Sequence, residues 1–398
     1  MGVPDSAAVL VAEIPSACET TAMSTGGADV VVVGAGVIGC SIALRLAQSG
    51  ADVLVLDRAE VGTEASWASA GILGAQMEAH GLGPMLDLGL ASRRMFPALA
   101  DELRSLTGLD VRYRPSGVLE LAFDESAEAA LLERHAWQEA AGLRASLVAP
   151  AHLVKRKHFG LARMGLWLPD DGQVDNQLLT RALQLAASRA GARFRQGAPV
   201  RRLLAGQGLE PKCSGVELYD GAIYAQTVVL SAGGFTGLIE GVPLPLGSIV
   251  PVRGQMVSLR PASLPFGEVV SGAGGYLVPR VDGRVLVGST VERVGFEKAV
   301  TASGLGTLLN RAQVISPMLA DARLDQHWSG LRPGTADGLP ILGRSALDGL
   351  LFATGHYRSG ILLAPATAEA IRDLITGQPP RFEISAFSAD RFIHAAAR

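Results

Sequence analysis

Several groups of residues in this sequence have types and spacings that chemistry requires. The first is Gly34-Ala35-Gly36-Val37-Ile38-Gly39, which follows directly on the β-branched run Val30-Val31-Val32-Val33 and leads into Ser41 to Gln48 with helical spacing. Strand, glycine turn and helix in that order build a phosphate-binding device. Gly34 permits the tight turn, Gly36 lets backbone approach a pyrophosphate, and Gly39 lets helix and strand pack closely, while the helix N-terminus offers its amides to the phosphates. A second strand, Asp52 to Leu56, ends in Asp57, about 20 residues past the glycines, where a carboxylate can accept ribose hydroxyls. The combination reads as a dinucleotide site. NAD and FAD share the ADP half, so the fingerprint alone leaves both open.

The second group is the small-residue segment Ala65-Ser66-Trp67-Ala68-Ser69-Ala70-Gly71-Ile72-Leu73-Gly74, where backbone can lie flat against a planar ligand such as an isoalloxazine. The third is Trp328-Ser329-Gly330-Leu331-Arg332-Pro333-Gly334-Thr335. Arg332, in its glycine- and proline-framed turn, carries the planar fork that binds a carboxylate bidentately, and Tyr276 can add a hydroxyl donor. The fourth is Leu350 to Leu363, a strand, the polar turn Gly355-His356-Tyr357-Arg358-Ser359-Gly360, and a helix start. Aimed at a flavin, that helix N-terminus would place positive partial charge where negative charge gathers on reduction. A hydride acceptor of this kind needs no side-chain nucleophile, so the protein's task is positioning, and His356 reads as a turn residue rather than an acid or base.

These residues need a scaffold, and the chain has the means for one. Its 398 residues exceed the usual size of one domain. A 48% hydrophobic and 18% charged composition with 48 glycines suits a glycine-turned α/β enzyme. The net charge of -3, spread evenly, argues against nucleic-acid or anionic-membrane partners and for small molecules. Lys155-Arg156-Lys157, flanked by His152 and His158, reads as a solvated face. Cys18, Cys40 and Cys213 show no metal-ligand spacing, which points to a reducing, cytoplasmic compartment and no metal site. Residues 1–27 lack signal-peptide features and are expected to be a disordered tail, with Met23 an alternative start.

The expected fold is α/β: a Rossmann-like nucleotide-binding lobe interleaved in sequence with an antiparallel-sheet substrate lobe. Gln177 to Arg189 is an amphipathic helix of the first lobe, with strands at Ala198 to Leu203 and at Thr227 to Gly234, the latter closing in Gly233-Gly234. Gly117 to Phe123, Ile249 to Leu259 and Gly275 to Ser289 supply the second sheet, with Asp282-Gly283 as a two-residue hairpin turn. The nucleotide lobe is thus expected over 28–111, 173–245 and 326–377, the substrate lobe over 112–172 and 246–325, and a tail over 378–398. Oligomeric state stays open between a monomer and a homo-oligomer.

On these motifs, above all Trp328 to Thr335 and Gly355 to Pro365, the chain from Asp29 to about Gly377 resembles the D-amino-acid-oxidase-like flavoprotein family, and within it the glycine oxidases of thiamin biosynthesis. The resemblance implies FAD, held noncovalently by Val37, Ile38, Asp57, Arg58, Ser66, Ala70, Gly71, Val200 and the turn His356, Tyr357, Arg358, Ser359, Gly360, Ile361 and Leu362. Gly34, Gly36, Gly39, Ile72 and Gly233 complete that set. It implies Arg332 at a substrate carboxylate, with Tyr276 and Arg358 beside it. The activity expected is oxidation of glycine or another small amino acid at its α-carbon, with oxygen as acceptor and peroxide as product. A dehydrogenase handing electrons to a quinone and a non-catalytic flavin-binding protein are the alternatives. Glycine oxidases of this pattern carry His and Met where this chain has Gly274 and Val291. A two-residue turn would pair Tyr276 with Ser289 and Gly274 with Val291 on the tyrosine's face. The expectation is a roomier pocket that takes N-methylated or short D-amino acids.

Overall fold

The valine run at 30–33 behaves as a strand covered on both faces. In the computed structural model, which describes residues 27–155, 159, 161–206 and 211–392, β1 (Ala28–Val33) lies inside a sheet with Val30 to Val33 all buried. The chain turns through the glycines into α1 (Val37–Gln48) and returns as β2 (Val53–Leu56), parallel to β1 with Val30 opposite Val53 and Val33 opposite Leu56. On the other side of β1 lies Gly221–Leu230 and then Leu350–Thr354, both parallel, with Arg193–Arg195 and the antiparallel Ile341–Arg344 at the edges.

Helices α1, Pro84–Thr107, Asn176–Arg189 and Gly360–Ile375 share one core, to which they bring Ile42, Leu46, Leu99, Leu103, Leu183 and Ile371. Antiparallel Arg202–Ala205, Cys213–Leu218 and the start of Gly221–Leu230 form a second layer, with Leu203 and Val216 in one cluster with Val31 and Phe352. Asn176–Arg189 starts one residue before the expected helix because Asp175 caps it, accepting from the amides of Gln177 and Leu178.

The second sheet has eight strands, in the order Arg323–Thr335, Ile249–Arg260, Val285–Gly288, Gly275–Pro279, Val269–Gly272, Val118–Ala122, Met164–Leu168 and Ser146–Val148. All neighbours are antiparallel except Val269–Gly272 with Val118–Ala122. Helix Ala302–Ile315 packs Leu308, Ala312 and Ile315 against Val257, Leu277 and Val287. Met256, Tyr276 and Trp328 instead share a cluster with Ala70 and Ile72 of the small-residue segment.

The structure differs from expectation in four places. The strand expected over 198–203 is paired only over Arg202–Ala205, and the Ala198 amide bonds instead to the Asp57 carbonyl. The strand expected over 227–234 stops at Leu230, and Gly233–Leu238 coils into a short helix. Residues 326–335 belong to the second sheet and not to a third piece of the nucleotide lobe, because they continue an unbroken strand from Arg323 that pairs with Ile249–Arg260, Arg332 opposite Val252.

The fourth difference is the hairpin. Arg280 N bonds Arg284 O at 2.8 Å, so Val281, Asp282 and Gly283 form a three-residue loop, with Gly283 in the left-handed region at φ 86. Asp282 fixes it by accepting from the Arg284 amide at 3.1 Å and its side chain at 2.8 Å. The register moves by one, placing Tyr276 opposite Gly288 and not Ser289, and the ladder ends there. Gly274 and Val291 are therefore not paired. A side chain at Gly274 would face the Arg311 guanidinium, and Val291 is 56% exposed. The 1–26 part of the expected N-terminal tail, Cys18, residues 156–158 of the basic cluster and residues 393–398 lie outside the described residues.

Candidate active site

Where the two sheets meet, a cavity of about 600 Å³ takes its lining from both. Gly34, Gly36, Val37, Ile38 and Asp57 line it from the nucleotide sheet. Gly34 sits at φ 105, where a side chain would press on Ser231 and Ala232 backbone, and a side chain at Gly39 would collide with the Gly34 carbonyl. Gly39 therefore packs under the turn and does not line the cavity. Gly36 caps α1 without a side-chain bond, and the Val37 amide donates to a side-chain acceptor, Ser66 Oγ at 2.9 Å. The Asp57 carboxylate faces the cavity and also braces the turn, accepting from the Ala35 amide at 2.7 Å and the Ala59 amide at 2.9 Å. Burial raises its pKa, against the pull of those amides and of Arg58. Arg58 pairs with Glu64 and lies over the Phe235 ring, 3.6 Å from its centroid.

The small-residue segment forms the short helix Ala65–Ala68 and then a bend through Ala70 and Gly71, held by two residues that sequence reasoning missed. Asn176 donates to the carbonyls of Ser66 at 2.8 Å and Trp67 at 2.9 Å. Buried Arg280 donates to the Ala70 carbonyl at 3.1 Å, the Val174 carbonyl at 2.8 Å and Asn176 Oδ1 at 2.8 Å. A side chain at Gly71, φ 68, would strike the Val174 carbonyl. Trp328 bonds Ala68 O at 3.0 Å, and Gly330 leaves room for the Ala68 methyl. Ala70, Gly71, Ile72, Val200 and Gly233 all line the cavity.

Opposite them, His356 to Leu362 line the cavity as the fourth motif required. The Tyr357 amide bonds Pro333 O at 3.0 Å, which ties this turn to the arginine strand. His356 is buried with Nε2 3.1 Å from Thr367 Oγ1, and burial lowers its pKa to about 3. It is a neutral turn residue. Pro365 inside the helix cannot donate, and the hydroxyl of Ser92 fills the adjacent gap, donating to Leu362 O at 2.6 Å and accepting from the Ala366 amide at 3.3 Å.

At the substrate end stand Arg332, Tyr276 and Arg358. Arg332 fills the space that a side chain at Gly254 would take, and it donates to Ser289 Oγ at 2.6 Å and Thr290 O at 3.3 Å. Among the described residues the half-buried Tyr276 hydroxyl has one hydrogen-bond partner, Met256 Sδ at 3.3 Å. Arg358 is ion-paired with Glu78 at 2.9 Å. Arg58, Arg201 and Arg358 of the cavity all face carboxylates, whereas Arg332 has a hydroxyl and a carbonyl. Gly274 and Val291 are not in the lining, so the proposed pair of pocket-widening positions falls away.

A family profile, DAO: FAD dependent oxidoreductase, matches residues 29–374. The chain belongs to this family. Among its relatives, the bifunctional protein ThiO/ThiG of Synechocystis is 39% identical over 375 residues, covering 92% of this chain and 54% of that protein. The glycine oxidase of Geobacillus kaustophilus is 34% identical over 374 residues, covering 92% and 97%. The crystal structure of glycine oxidase from Geobacillus kaustophilus superposes with a TM-score of 0.86 at 33% identity, covering 91% of this chain and 98% of that one. The chain spans about half the length of the ThiO/ThiG relatives it matches. The site fits the family's cofactor. The α1 N-terminus, whose N-cap Gly36 has no side chain to cap it, opens on the cavity as a pyrophosphate requires, and the small-residue bend continues the same lining toward Arg332. Among the described residues no helix is long and apolar enough to cross a membrane.

Proposed function

We propose that this chain is an oxidase of glycine or another small amino acid. The observation that carries this reading is Arg332: of the arginines lining the cavity it alone, among the described residues, has no acidic partner. A half-buried guanidinium in that state is a receptor for an anion brought by the substrate, and the fork geometry selects a carboxylate. Arg332 has five N–H donors, of which Ser289 and Thr290 engage two, so about three remain for the ligand. Tyr276 supports the same seat, since a thioether is a weak acceptor that a carboxylate oxygen displaces readily.

Val37, Ile38, Asp57, Ser66, Ala70, Gly71 and the turn from His356 to Leu362 would hold FAD along the cavity. Bound there, FAD would supply the two-electron acceptor for oxidation at the α-carbon, so that the substrate would give an imine, hydrolysed by water to 2-oxo acid and ammonia, with two electrons and two protons passing on to oxygen as hydrogen peroxide. Everything else is positioning by the chain. Arg332 and Tyr276 fix the carboxylate, which orients the Cα–H bond and the neutral amine. His356 takes no proton, being buried and engaged with Thr367. Cys40 and Cys213 are buried away from the cavity lining, in keeping with noncovalent flavin. Likeness to the ThiO/ThiG proteins supports delivery of the imine to thiazole assembly for thiamin, in the cytoplasm.

The test is turnover of the purified flavoprotein on glycine, sarcosine and D- and L-amino acids, followed as peroxide and with an artificial acceptor, for wild type, Arg332→Ala and Arg332→Lys. Removing Arg332 is expected to cost about 2 to 5 kcal/mol in kcat/KM, with Lys a poor substitute. Near-normal kcat/KM in Arg332→Ala would show that the carboxylate is held elsewhere.

A further inference from the structure

Arg332 presents its fork to the cavity because two groups hold it from behind, Ser289 Oγ and Thr290 O. Both come from the segment after the strand Val285–Gly288, beyond the end of its ladder with Gly275–Pro279. Something other than sheet pairing to that neighbour must therefore fix Ser289 and Thr290.

Arg311 Nη1 donates to Ser289 O at 3.2 Å and the Thr290 amide to Gln255 O at 3.3 Å, and the side-chain bonds that join this segment to the neighbouring strand converge on Glu292. Its carboxylate accepts from four donors: Arg253 through Nε at 3.0 Å and through Nη2, Gln255 Nε2 at 2.8 Å, and the Thr290 hydroxyl. Arg253 is 4% exposed, and its backbone exchanges two 2.9 Å bonds with that of Glu292. Thr290 Oγ1 also accepts from the Gln255 amide at 2.8 Å, and Gln255 in turn bonds Thr301. Burial raises the Glu292 carboxyl, but the bonds from Thr290, Arg253 and Gln255 outweigh it and hold the pKa below its usual value. Arg253 and Arg332 lie on neighbouring strands, with Arg253 opposite Leu331 and Val252 opposite Arg332. The carboxylate thus clamps one segment to the very strand against which the arginine is paired.

We infer that Glu292 is a positioning residue for the substrate carboxylate, acting through Thr290 and Ser289 on the direction of the Arg332 fork. This rests on the reading of Arg332 as the carboxylate site. Without the clamp the segment loses the bond from Thr290 to Glu292, the Thr290 carbonyl and Ser289 hydroxyl wander, and the fork samples orientations that do not match a carboxylate. Loss of affinity for the carboxylate follows, while the flavin site, whose lining does not include Glu292, keeps its cofactor.

The experiment titrates acetate, a carboxylate probe that lacks only the amine of glycine, into flavin-loaded wild type, Glu292→Gln and Arg332→Ala, reading the perturbation of the flavin spectrum and, separately, KM and kcat for glycine. The expected result for Glu292→Gln is a rise of about tenfold in both the acetate Kd and KM, with kcat at saturation and flavin content near wild type. An acetate Kd unchanged in Glu292→Gln, when Arg332→Ala abolishes binding, overturns the inference and leaves the site reading intact. Acetate binding that survives in Arg332→Ala overturns the site reading itself. If Glu292→Gln does not fold, Thr290→Val and Thr290→Ser decide: weakened acetate binding in the first and wild-type binding in the second support the clamp, and wild-type binding in both overturns it.

Discussion

Glu78 sets what Arg358 can do. Their side chains meet at 2.9 Å, and both line the cavity beside Tyr276. In wild type Glu78 satisfies Arg358, and a substrate with a second carboxylate would have to displace it or lie against it. Glu78→Gln removes that charge while keeping the side chain's length and a hydrogen-bonding group. A substrate carboxylate about 4 Å from Arg358 would then gain about 1 kcal/mol in a water-like dielectric and about 4 kcal/mol at an effective value near 20. The Arg358 side chain is 37% exposed, so solvent screening places the gain near the lower figure, at about 1 to 2 kcal/mol or about 5- to 30-fold. Relief of repulsion by Glu78 acts in the same direction. The assay is kcat/KM for D-aspartate and iminodiacetate against glycine, in wild type and Glu78→Gln, at low and high salt. The ratio should move toward the diacids in the mutant, and less so in high salt. An unchanged ratio, or one that moves equally at both salt concentrations, would refute the charge-matching argument.

The remaining predictions test other parts of the cavity. Asp57→Ala removes the acceptor of the Ala35 and Ala59 amides and a candidate ribose partner, so flavin retention through desalting should weaken by about 1.5 to 3 kcal/mol, and full retention would exclude Asp57 from the cofactor site. For His356, a folded pKa of about 3 lies below the ordinary 6.5, so the unfolded chain binds the extra proton first and stability falls as pH drops from about 6.5 toward 3, by up to about 1.4 kcal/mol per pH unit. His356→Gln, which does not titrate, should flatten that acid limb in denaturation measured against pH, without adding a pKa to the activity profile. Val291→Met should leave the preference among glycine, sarcosine and D-alanine unchanged in kcat/KM, because Val291 is exposed and outside the lining. A shift toward glycine would restore that residue to the pocket.

The parts of this site that follow local rules were legible in the sequence. Four valines, a glycine turn and a helical period specify β1 and α1, and Gly39 is explained by what a side chain there would strike, the Gly34 carbonyl and the Ser231 hydroxyl. What local rules leave open is which distant groups meet. Asn176 lies just before the helix expected from Gln177, and nothing near it says that its amide holds carbonyls 109 and 110 residues away. Arg280 precedes a turn and has no signature of its own. The hairpin failed for a related reason: Asp-Gly suits a two-residue turn and a bulged three-residue one, and the choice falls to Asp282's bonds with Arg284. One residue of register then reassigned Gly274 and Val291, since the side-chain period of a strand is two.

The two arginines at the substrate end show the same limit at the level of chemistry. Residue type alone does not rank Arg332 and Arg358, each beside glycines, and in the sequence it is the family resemblance that puts Arg332 at the carboxylate with Arg358 beside it. Their partners rank them. Glu78 approaches Arg358 from a loop stiffened by buried Asp171, which accepts from the amides of Gln76 and Met77 and pairs with Arg93. Arg332 instead meets, among the described residues, a hydroxyl and a carbonyl, over a glycine that leaves it space. Supplying a carboxylate to Arg358 from within the chain and withholding one from Arg332 makes one arginine part of the wall and leaves the other as a receptor. The distinction rests on a residue more than 250 positions from either, and it becomes visible only once the fold has closed.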